Sequence, residues 1–352
     1  MPAEATMRAM RIDVFGGPDV LREQTVPVPE PGPGQVLVEV AYCGVCRHDL
    51  LTRAGAFPRA QLPVTLGHQV SGRVVALGPD VTEHAVGDRV MTMIYSGCGE
   101  CEACRGGAEA LCTVVTPQFL GEDRDGGYAE YVVAEARTTI GLPAGVGLRE
   151  AAIATCTLGT AYHALVTRGN LQKGDLVVVT GASGGVGLHA VSVAKALGGR
   201  VVGVASSAES VGPVSAMGAD DVVVSPERHF ARELRDRVGA QADLVLDVVG
   251  APTLRESLHA VRPGGRVVVV GNVEGTEASI PPAYLILKEI SLIGTKSCTT
   301  GEMRSLLDLL ARGELTADVT DTVPYAEVAD VHRRMEEGSA QGRIVLEVRG
   351  DS

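Results

Sequence analysis

Tryptophan is absent from this chain, and Phe, Tyr and Trp together supply 3% of its 352 residues. The core must therefore rest on Val, Leu, Ile and Ala, and the ring platforms on which nucleic-acid bases stack are missing. An excess of positive charge is missing too. Lys and Arg number 31 against 43 Asp and Glu, a formal net charge of −12. Such a surface repels phosphate backbones and anionic lipids, so neither a nucleic-acid nor a membrane partner is expected. No apolar run is long enough to span a bilayer. The opening residues MPAEATMRAM hold no apolar leader core, and a cytoplasmic location is expected. In that reducing setting the eight cysteines read as metal ligands before disulfides.

At 45% hydrophobic and 21% charged, the chain has the composition of a globular protein, and its length suggests about two domains. Its organising stretch is TGASGGVG at residues 180–187, between an apolar run at 176–179 and a run of small and apolar residues from Leu188. A buried strand, a Gly-rich turn and a helix in that order form a phosphate cradle, because the helix start offers unpaired N–H groups and a positive dipole end. From Ala182 to Gly187 the pattern is A-x-G-x-x-G, so the first glycine of the dinucleotide fingerprint is replaced. Gly181, Ala182, Ser183, Gly184, Gly185, Val186 and Gly187 are the candidate cofactor-binding residues. Gly184 would admit a pyrophosphate and Gly187 would let the helix approach the strand.

Before this stretch, short apolar segments at 10–14, 36–42, 70–77, 88–94 and 127–133 alternate with Gly and Pro turns, which suggests a barrel-like β domain. Residues 50–54 should begin a short helix, and residues 148–165 read as helical. From about residue 173 the texture becomes strand–helix alternation. Six strands are expected at 176–180, 201–205, 221–224, 244–247, 266–271 and 290–294, which is an α/β, doubly wound parallel sheet. Helices near 303–312 and 325–337 and a last strand at 343–348 follow.

Four cysteines fall within fifteen residues: Cys98, Cys101, Cys104 and Cys112, spaced C-x2-C-x2-C-x7-C. Four thiolates at this pitch can close a tetrahedron around Zn²⁺, leaving no open position, so the site would be structural. Unrelated thiols, a disulfide pair or an iron–sulfur cluster are the alternatives. Elsewhere spacing says little. Alone, His68 reads as a satisfied loop histidine, Cys46 as a small buried hydrophobe and Cys156 as a helix-packing residue.

Motifs along nearly the whole chain resemble the zinc-dependent alcohol dehydrogenase family of medium-chain dehydrogenases/reductases. They are CGVCRHD at 43–49, GH at 67–68, GCGECEACRGGAEALC at 97–112, CTLGTAYHAL at 156–165, TGASGGVG at 180–187 and GRIVLEV at 342–348. The resemblance implies a GroES-like catalytic domain at 1–156 with a return at 296–352, and a Rossmann domain at 157–295. It implies a catalytic zinc held by Cys46, His68 and Cys156, a Cys2His set that leaves a fourth position open, and hence two Zn²⁺ per chain. Asp49 resembles the acid behind the histidine ligand, although a helix-start cap is an equal reading. Arg47 and Arg343 match basic positions near the cofactor pyrophosphate; otherwise each is a solvated charge. Thr160, Val249, Gly271, Asn272, Gly294 and Thr295 fall where the family approaches the cofactor. Cys43 and Cys298 remain as packing thiols.

The sequence departs from the family at two points. His48 stands where alcohol-oxidising members carry a Ser or Thr proton relay, and Gln69 stands where a Glu usually follows the histidine ligand. Histidine can still move a proton near neutral pH. At the end of the second nucleotide-domain strand Ala205 replaces the acid that would hold the ribose of NAD, and Ser206 and Ser207 could bond a 2′-phosphate, so NADP(H) is preferred over NAD(H). The expected activity is hydride transfer between NADP(H) and a small alcohol or carbonyl substrate. Segments 63–72 and 283–295 also resemble an acryloyl-CoA reductase-like subgroup, so reduction of an activated C=C or C=N bond is the first alternative. A non-catalytic NADP(H) sensor is the second. Apolar strands at 266–271 and 290–294, taken as sheet edges, suggest a homodimer or homotetramer.

Overall fold

The computed structural model describes residues 5–340 and 342–351. Residues 1–4, the start of the stretch read for a leader, and Ser352, the end of the expected final segment, lie outside the described residues, as does Gln341. Two compact units form. The first holds Met1–Cys156, Thr299–Ala311 and Ala317–Ser352, and the second Thr157–Cys298 and Arg312–Thr316. The first is β-rich, and the second is a doubly wound α/β unit built on a parallel sheet.

In the first unit the ten-residue strand Gln35–Gly44 is central. Its apolar residues on both faces require cover, and Val36, Val38 and Val40 are fully buried. Gln69–Leu77 pairs along one side of it. On the other side its first half pairs with Tyr131–Glu135 and its last residues, Tyr42 to Gly44, pair with Ile344–Glu347. That last pairing ties the C-terminal segment beside Cys46. A smaller antiparallel sheet joins Arg22–Pro27, Thr6–Ile12 and Val64–Thr65. The first strand thus runs Thr6–Ile12 rather than 10–14, because pairing with Arg22–Pro27 sets its register; Val14 is left exposed. The strand expected at 127–133 begins at Tyr131.

In the second unit six parallel strands lie in the order third, second, first, fourth, fifth, sixth: Asp221–Val224, Arg200–Ala205, Leu176–Thr180, Ala242–Asp247, Val261–Val269, Ser291–Gly294. The order reverses between Leu176–Thr180 and Ala242–Asp247, the switch point at which such sheets bind ligands. One correction concerns the edges. The strand expected at 266–271 is Val261–Val269, which ends two residues earlier and lies inside the sheet, with neighbours on both sides. Val267 and Val268 are fully buried, since a strand apolar on both faces needs cover on both. Only Ser291–Gly294 of the two is an edge.

The stretch expected to be one helix at 148–165 is a helix, Leu148–Ala154, followed by π-helical turns at Thr155–Gly159 and His163–Arg168 around Thr160–Tyr162. Among the described residues no helix is long and apolar enough to cross a membrane.

Candidate active site

Cys46 sits where the central strand Gln35–Gly44 gives way to the helix Arg47–Arg53, whose N-cap it is. His68 follows Gly67, which turns the chain at φ +96° and has no room for a side chain: a Cβ there would meet Tyr128 and, at 2.8 Å, Cys43 Sγ. Cys156 lies on the first π-helical turn, a local widening of the kind that re-aims side chains at functional sites. The three ligand atoms lie within 4.8 Å of one another. The Cys46 and Cys156 sulfurs are 3.8 Å apart, too far for the S–S bond of about 2.05 Å. Zn–S bonds of about 2.3 Å give a tetrahedral edge of about 3.8 Å, so this donor set fits zinc with one position open.

Asp49 serves both of its candidate roles. Its Oδ1 accepts from His68 Nδ1 at 2.9 Å, and its Oδ2 accepts the backbone N–H of Cys46 at 2.8 Å, closing the helix start three residues earlier than residue 50. With Nδ1 occupied, Nε2 is the ring nitrogen of His68 left to face the sulfurs, and it can ligate a metal once it has lost its proton. Burial opposes protonation of His68, but the Asp49 charge and hydrogen bond push its pKa up to about 10. The bond from Cys156 and the neighbouring imidazole hold the Cys46 thiol well below the usual thiol range, and the same sulfur contact with burial pushes Cys156 well up. One thiolate beside one thiol is the state that metal binding would convert to two thiolates.

His48 Nε2 lies 2.8 Å from Glu122 Oε2. Its ring is stacked between Phe57, at 4.3 Å, and Phe119, at 4.2 Å, and meets His68 edge-on at 5.5 Å. Glu122, Phe57 and Phe119 escaped the sequence analysis: Phe57 and Glu122 lie outside helices and strands, and Phe119 lies on the two-residue strand Gln118–Phe119, whose pairing with Tyr95–Ser96 no local pattern shows. Gln69 is fully buried, and neither of its amide atoms has a hydrogen-bond partner among the described residues. Arg47 is exposed, whereas Arg343 is 5% exposed and donates from Nη1 to Val45 O at 3.3 Å. Arg343 is therefore no solvated charge; it adds to the pull on the Cys46 thiol.

In the cysteine lobe, Cys98 Sγ is 3.9 Å from Cys104 Sγ and Cys101 Sγ is 3.9 Å from Cys112 Sγ, with all four sulfurs within 4.8 Å and none in a disulfide. Backbone N–H groups of Val115 and Cys98 bring Cys112 down to about 6, those of Cys104 and Thr113 lower Cys101, and burial pushes Cys104 up to about 12. Four converging sulfurs at tetrahedral spacing fit a closed zinc site. Buried Glu109 braces the loop by accepting from the Gly97 N–H and from Arg137 Nε.

In the second unit the Gly-rich turn follows Leu176–Thr180 and enters the helix Gly185–Ala196, whose N-terminus has no side-chain cap. The turn glycine is Gly181, at φ +56°, one residue ahead of the fingerprint, which explains how Ala182 is tolerated in place of a glycine. A Cβ on Gly187 would meet the Gly181 carbonyl and, at 3.0 Å, Ala182 Cα. Ser183 and Gly184 complete the turn, and Gly185 and Val186 open the helix. Val249 packs against Gly181, and Val273 N donates to Val249 O at 2.9 Å, which draws Gly271 and Asn272 to the same end of the sheet. Buried Asp247, also unforeseen, holds this turn by accepting from Thr180, Val249, Gly250, Thr253 and Ser257. Ala205 ends Arg200–Ala205 with Ser206 exposed, and Ser207 Oγ lies 3.2 Å from Ser210 Oγ. Thr160 lies on the short helix packed against Gly185–Ala196. Gly294 ends the edge strand, and the Thr295 hydroxyl is buried without a hydrogen-bond partner among the described residues.

Comparison with known proteins covers both units. Residues 32–144 match the alcohol dehydrogenase GroES-like domain and residues 185–312 the zinc-binding dehydrogenase domain. The acryloyl-coenzyme A reductase of Metallosphaera sedula is 36% identical over 319 residues, 90% of this chain and 93% of that protein. An alcohol dehydrogenase of Geobacillus stearothermophilus is 34% identical over 344 residues, 97% of this chain and 100% of that one. The crystal structure of AibC superposes with a TM-score of 0.93 at 41% identity, over 98% of this chain and 96% of that one.

Proposed function

The chain belongs to the alcohol dehydrogenase family of medium-chain dehydrogenases/reductases, and from that premise we propose that it moves a hydride between NADP(H) and an alcohol or carbonyl substrate, with a zinc held by Cys46, His68 and Cys156. The observation that carries this reading is the approach of those three ligand atoms to within 4.8 Å of one another, with a donor set that suits zinc and leaves a fourth position. When bound, the zinc supplies Lewis-acid polarisation of the substrate oxygen and the nicotinamide supplies the hydride.

The chain's own residues orient and move protons. Asp49 holds the His68 tautomer. His48, with its Nε2 tied to Glu122, carries the proton that the substrate oxygen gains on reduction and loses on oxidation. Gln69 puts a neutral amide next to His68 in the chain, where a carboxylate is usual in the family. Cys98, Cys101, Cys104 and Cys112 hold a second, structural zinc. The uncapped start of Gly185–Ala196 takes the cofactor pyrophosphate, and Ala205, Ser206 and Ser207 favour a 2′-phosphate over a bare ribose. Eight free thiols suit a reducing, cytoplasmic setting. Ile286 and Leu287, 70% and 83% exposed on the helix before the edge strand Ser291–Gly294, favour a homodimer or homotetramer.

A second reading, reduction of a conjugated C=C bond in an acyl thioester, is favoured by the identity with an acryloyl-coenzyme A reductase. NADPH oxidation against a ketone and aldehyde panel and against an enoyl-thioester panel separates the two. Turnover on carbonyls supports the first reading, and turnover on enoyl thioesters alone replaces it with the second. NADPH binding without hydride transfer to either panel would make the chain a sensor.

A further inference from the structure

The Asp49 carboxylate that steadies His68 also belongs to a buried hydrogen-bonded circuit. Tyr128 Oη lies 3.1 Å from Asp49 Oδ2 and 3.3 Å from His332 Nε2. His332 Nδ1 lies 3.3 Å from Arg53 Nη1. Arg53 donates in addition to Gly16 O at 3.1 Å and to Glu336. Asp49, Arg53, Tyr128 and His332 are each at most 1% exposed. Asp49 and Arg53 lie one turn apart on the helix Arg47–Arg53, so Tyr128 and His332 bridge two points of the same helix.

Donor and acceptor chemistry leaves one assignment of the protons. A carboxylate only accepts and a guanidinium only donates. Tyr128 has a single hydroxyl proton, which Asp49 takes, so the phenol oxygen accepts the Nε2–H of His332. His332 Nδ1 then has no proton and accepts from Arg53. This needs a neutral imidazole, and burial provides one by holding the His332 pKa down to about 4. Every hydrogen bond of the circuit therefore points toward Asp49. The circuit cannot carry a proton away from the site, because reversal would require Arg53 to accept.

We infer that Tyr128 and His332 are positioning residues for His68: together with Arg53 they lock the Asp49 carboxylate, and through it the Nδ1–H tautomer and ring orientation of His68. This rests on the reading of His68 as a metal ligand. The circuit gives Asp49 a donor besides His68 and the Cys46 N–H, so Oδ2 is held by two donors while Oδ1 accepts from His68. Partners of this kind, one bond behind a ligand's own partner, set affinity for the metal without touching it.

The test uses the full chain carrying Tyr128→Phe, His332→Leu or His332→Gln. Glutamine can accept from Arg53 on its oxygen and donate to Tyr128 from its nitrogen, which preserves the polarity; leucine and phenylalanine cannot. Zinc affinity is measured by chelator competition, the Co²⁺-loaded absorption spectrum is recorded, and thermal unfolding is followed in parallel. Wild type should hold two zinc ions, one of them lost in Cys46→Ala. Y128F and H332L should weaken that ion by about tenfold or more and shift the Co²⁺ spectrum, while H332Q stays near wild type. Unchanged affinity and spectrum in Y128F and H332L, whatever their thermal midpoints, would overturn the inference and leave the metal reading intact. A wild type with one zinc that survives Cys46→Ala would overturn both. Should Y128F and H332L fail to fold, H332Q decides: affinity near wild type supports the polarity argument, and a tenfold loss refutes it.

Discussion

His48 Nε2 lies 2.8 Å from the Oε2 of Glu122, a residue 74 positions further along the chain, and the imidazole between them and His68 is clamped by two phenyl rings. A histidine pinned in this way has one ring nitrogen committed to the carboxylate. In the proposed mechanism the other nitrogen exchanges the proton with substrate. Replacing His48 by Ala should lower kcat for carbonyl reduction by about a hundredfold or more, while zinc content stays unchanged. Glu122→Gln should lower kcat less, because an amide oxygen still accepts the Nε2–H. Steady-state kinetics with metal analysis checks both. A kcat in His48→Ala within a few-fold of wild type would remove this histidine from the proton path.

The proposed preference for NADP(H) is testable at one residue. Ala205 is 2% exposed at the end of its strand, where an acid would face the ribose hydroxyls. Ala205→Asp should move the ratio of kcat/KM values for NADPH and NADH toward NADH by about tenfold or more, the effect of about 1.4 kcal/mol of repulsion. An unchanged ratio would mean that the 2′-phosphate is recognised elsewhere.

Gly187 has no room for a methyl group, since a Cβ would meet the backbone of Gly181 and of Ala182, which cannot rotate away. Gly187→Ala should destabilise the protein by about 1–3 kcal/mol and weaken NADPH binding, because the helix that presents its N-terminus must shift. Urea unfolding and fluorescence titration of NADPH read the two effects. Wild-type affinity would show that this helix does not hold the pyrophosphate.

His332 gives stability a defined pH dependence. Its pKa falls from 6.5 in the unfolded chain to about 4 in the fold through burial. The folded state therefore binds fewer protons between those values. The contribution, about 3 kcal/mol, is complete above pH 6.5, falls as pH drops toward 4 and is gone below it. His332→Gln should flatten the rise of unfolding free energy between pH 4 and 6.5 relative to wild type, as measured by denaturant titration at each pH. Parallel curves would show that His332 is not buried neutral.

The parts of this protein that could be read in advance are those whose partners are near in sequence. The strand, turn and helix at Leu176–Ala196 follow from an apolar run, glycines and small residues in succession, and the cysteine lobe from four thiols within fifteen residues. Cys46 and Cys156 are 110 positions apart, and no spacing rule joins them; family resemblance did. Tyr128 and His332 are 204 positions apart, and only the packing of the helix Val328–Glu336 shows that they meet. The misplaced edge has the same origin. A run such as Val267–Val268 is apolar whether it lies inside a sheet or at its margin, and pairing, which is long-range, decides. Gly181 was named as a cofactor-binding candidate, but its left-handed turn was not foreseen, although a glycine just before the fingerprint is a natural place for one.

The central claim is that Cys46, His68 and Cys156 hold a zinc without which the hydride does not move. Its most direct test is zinc per chain and NADPH oxidation rate, measured on the same preparations of wild type and of Cys46→Ser. The account predicts two zinc ions and turnover in wild type, against one zinc ion and a rate lower by at least about a thousandfold in the variant. Undiminished turnover in a Cys46→Ser protein with one zinc, or a single zinc in both proteins, would contradict it.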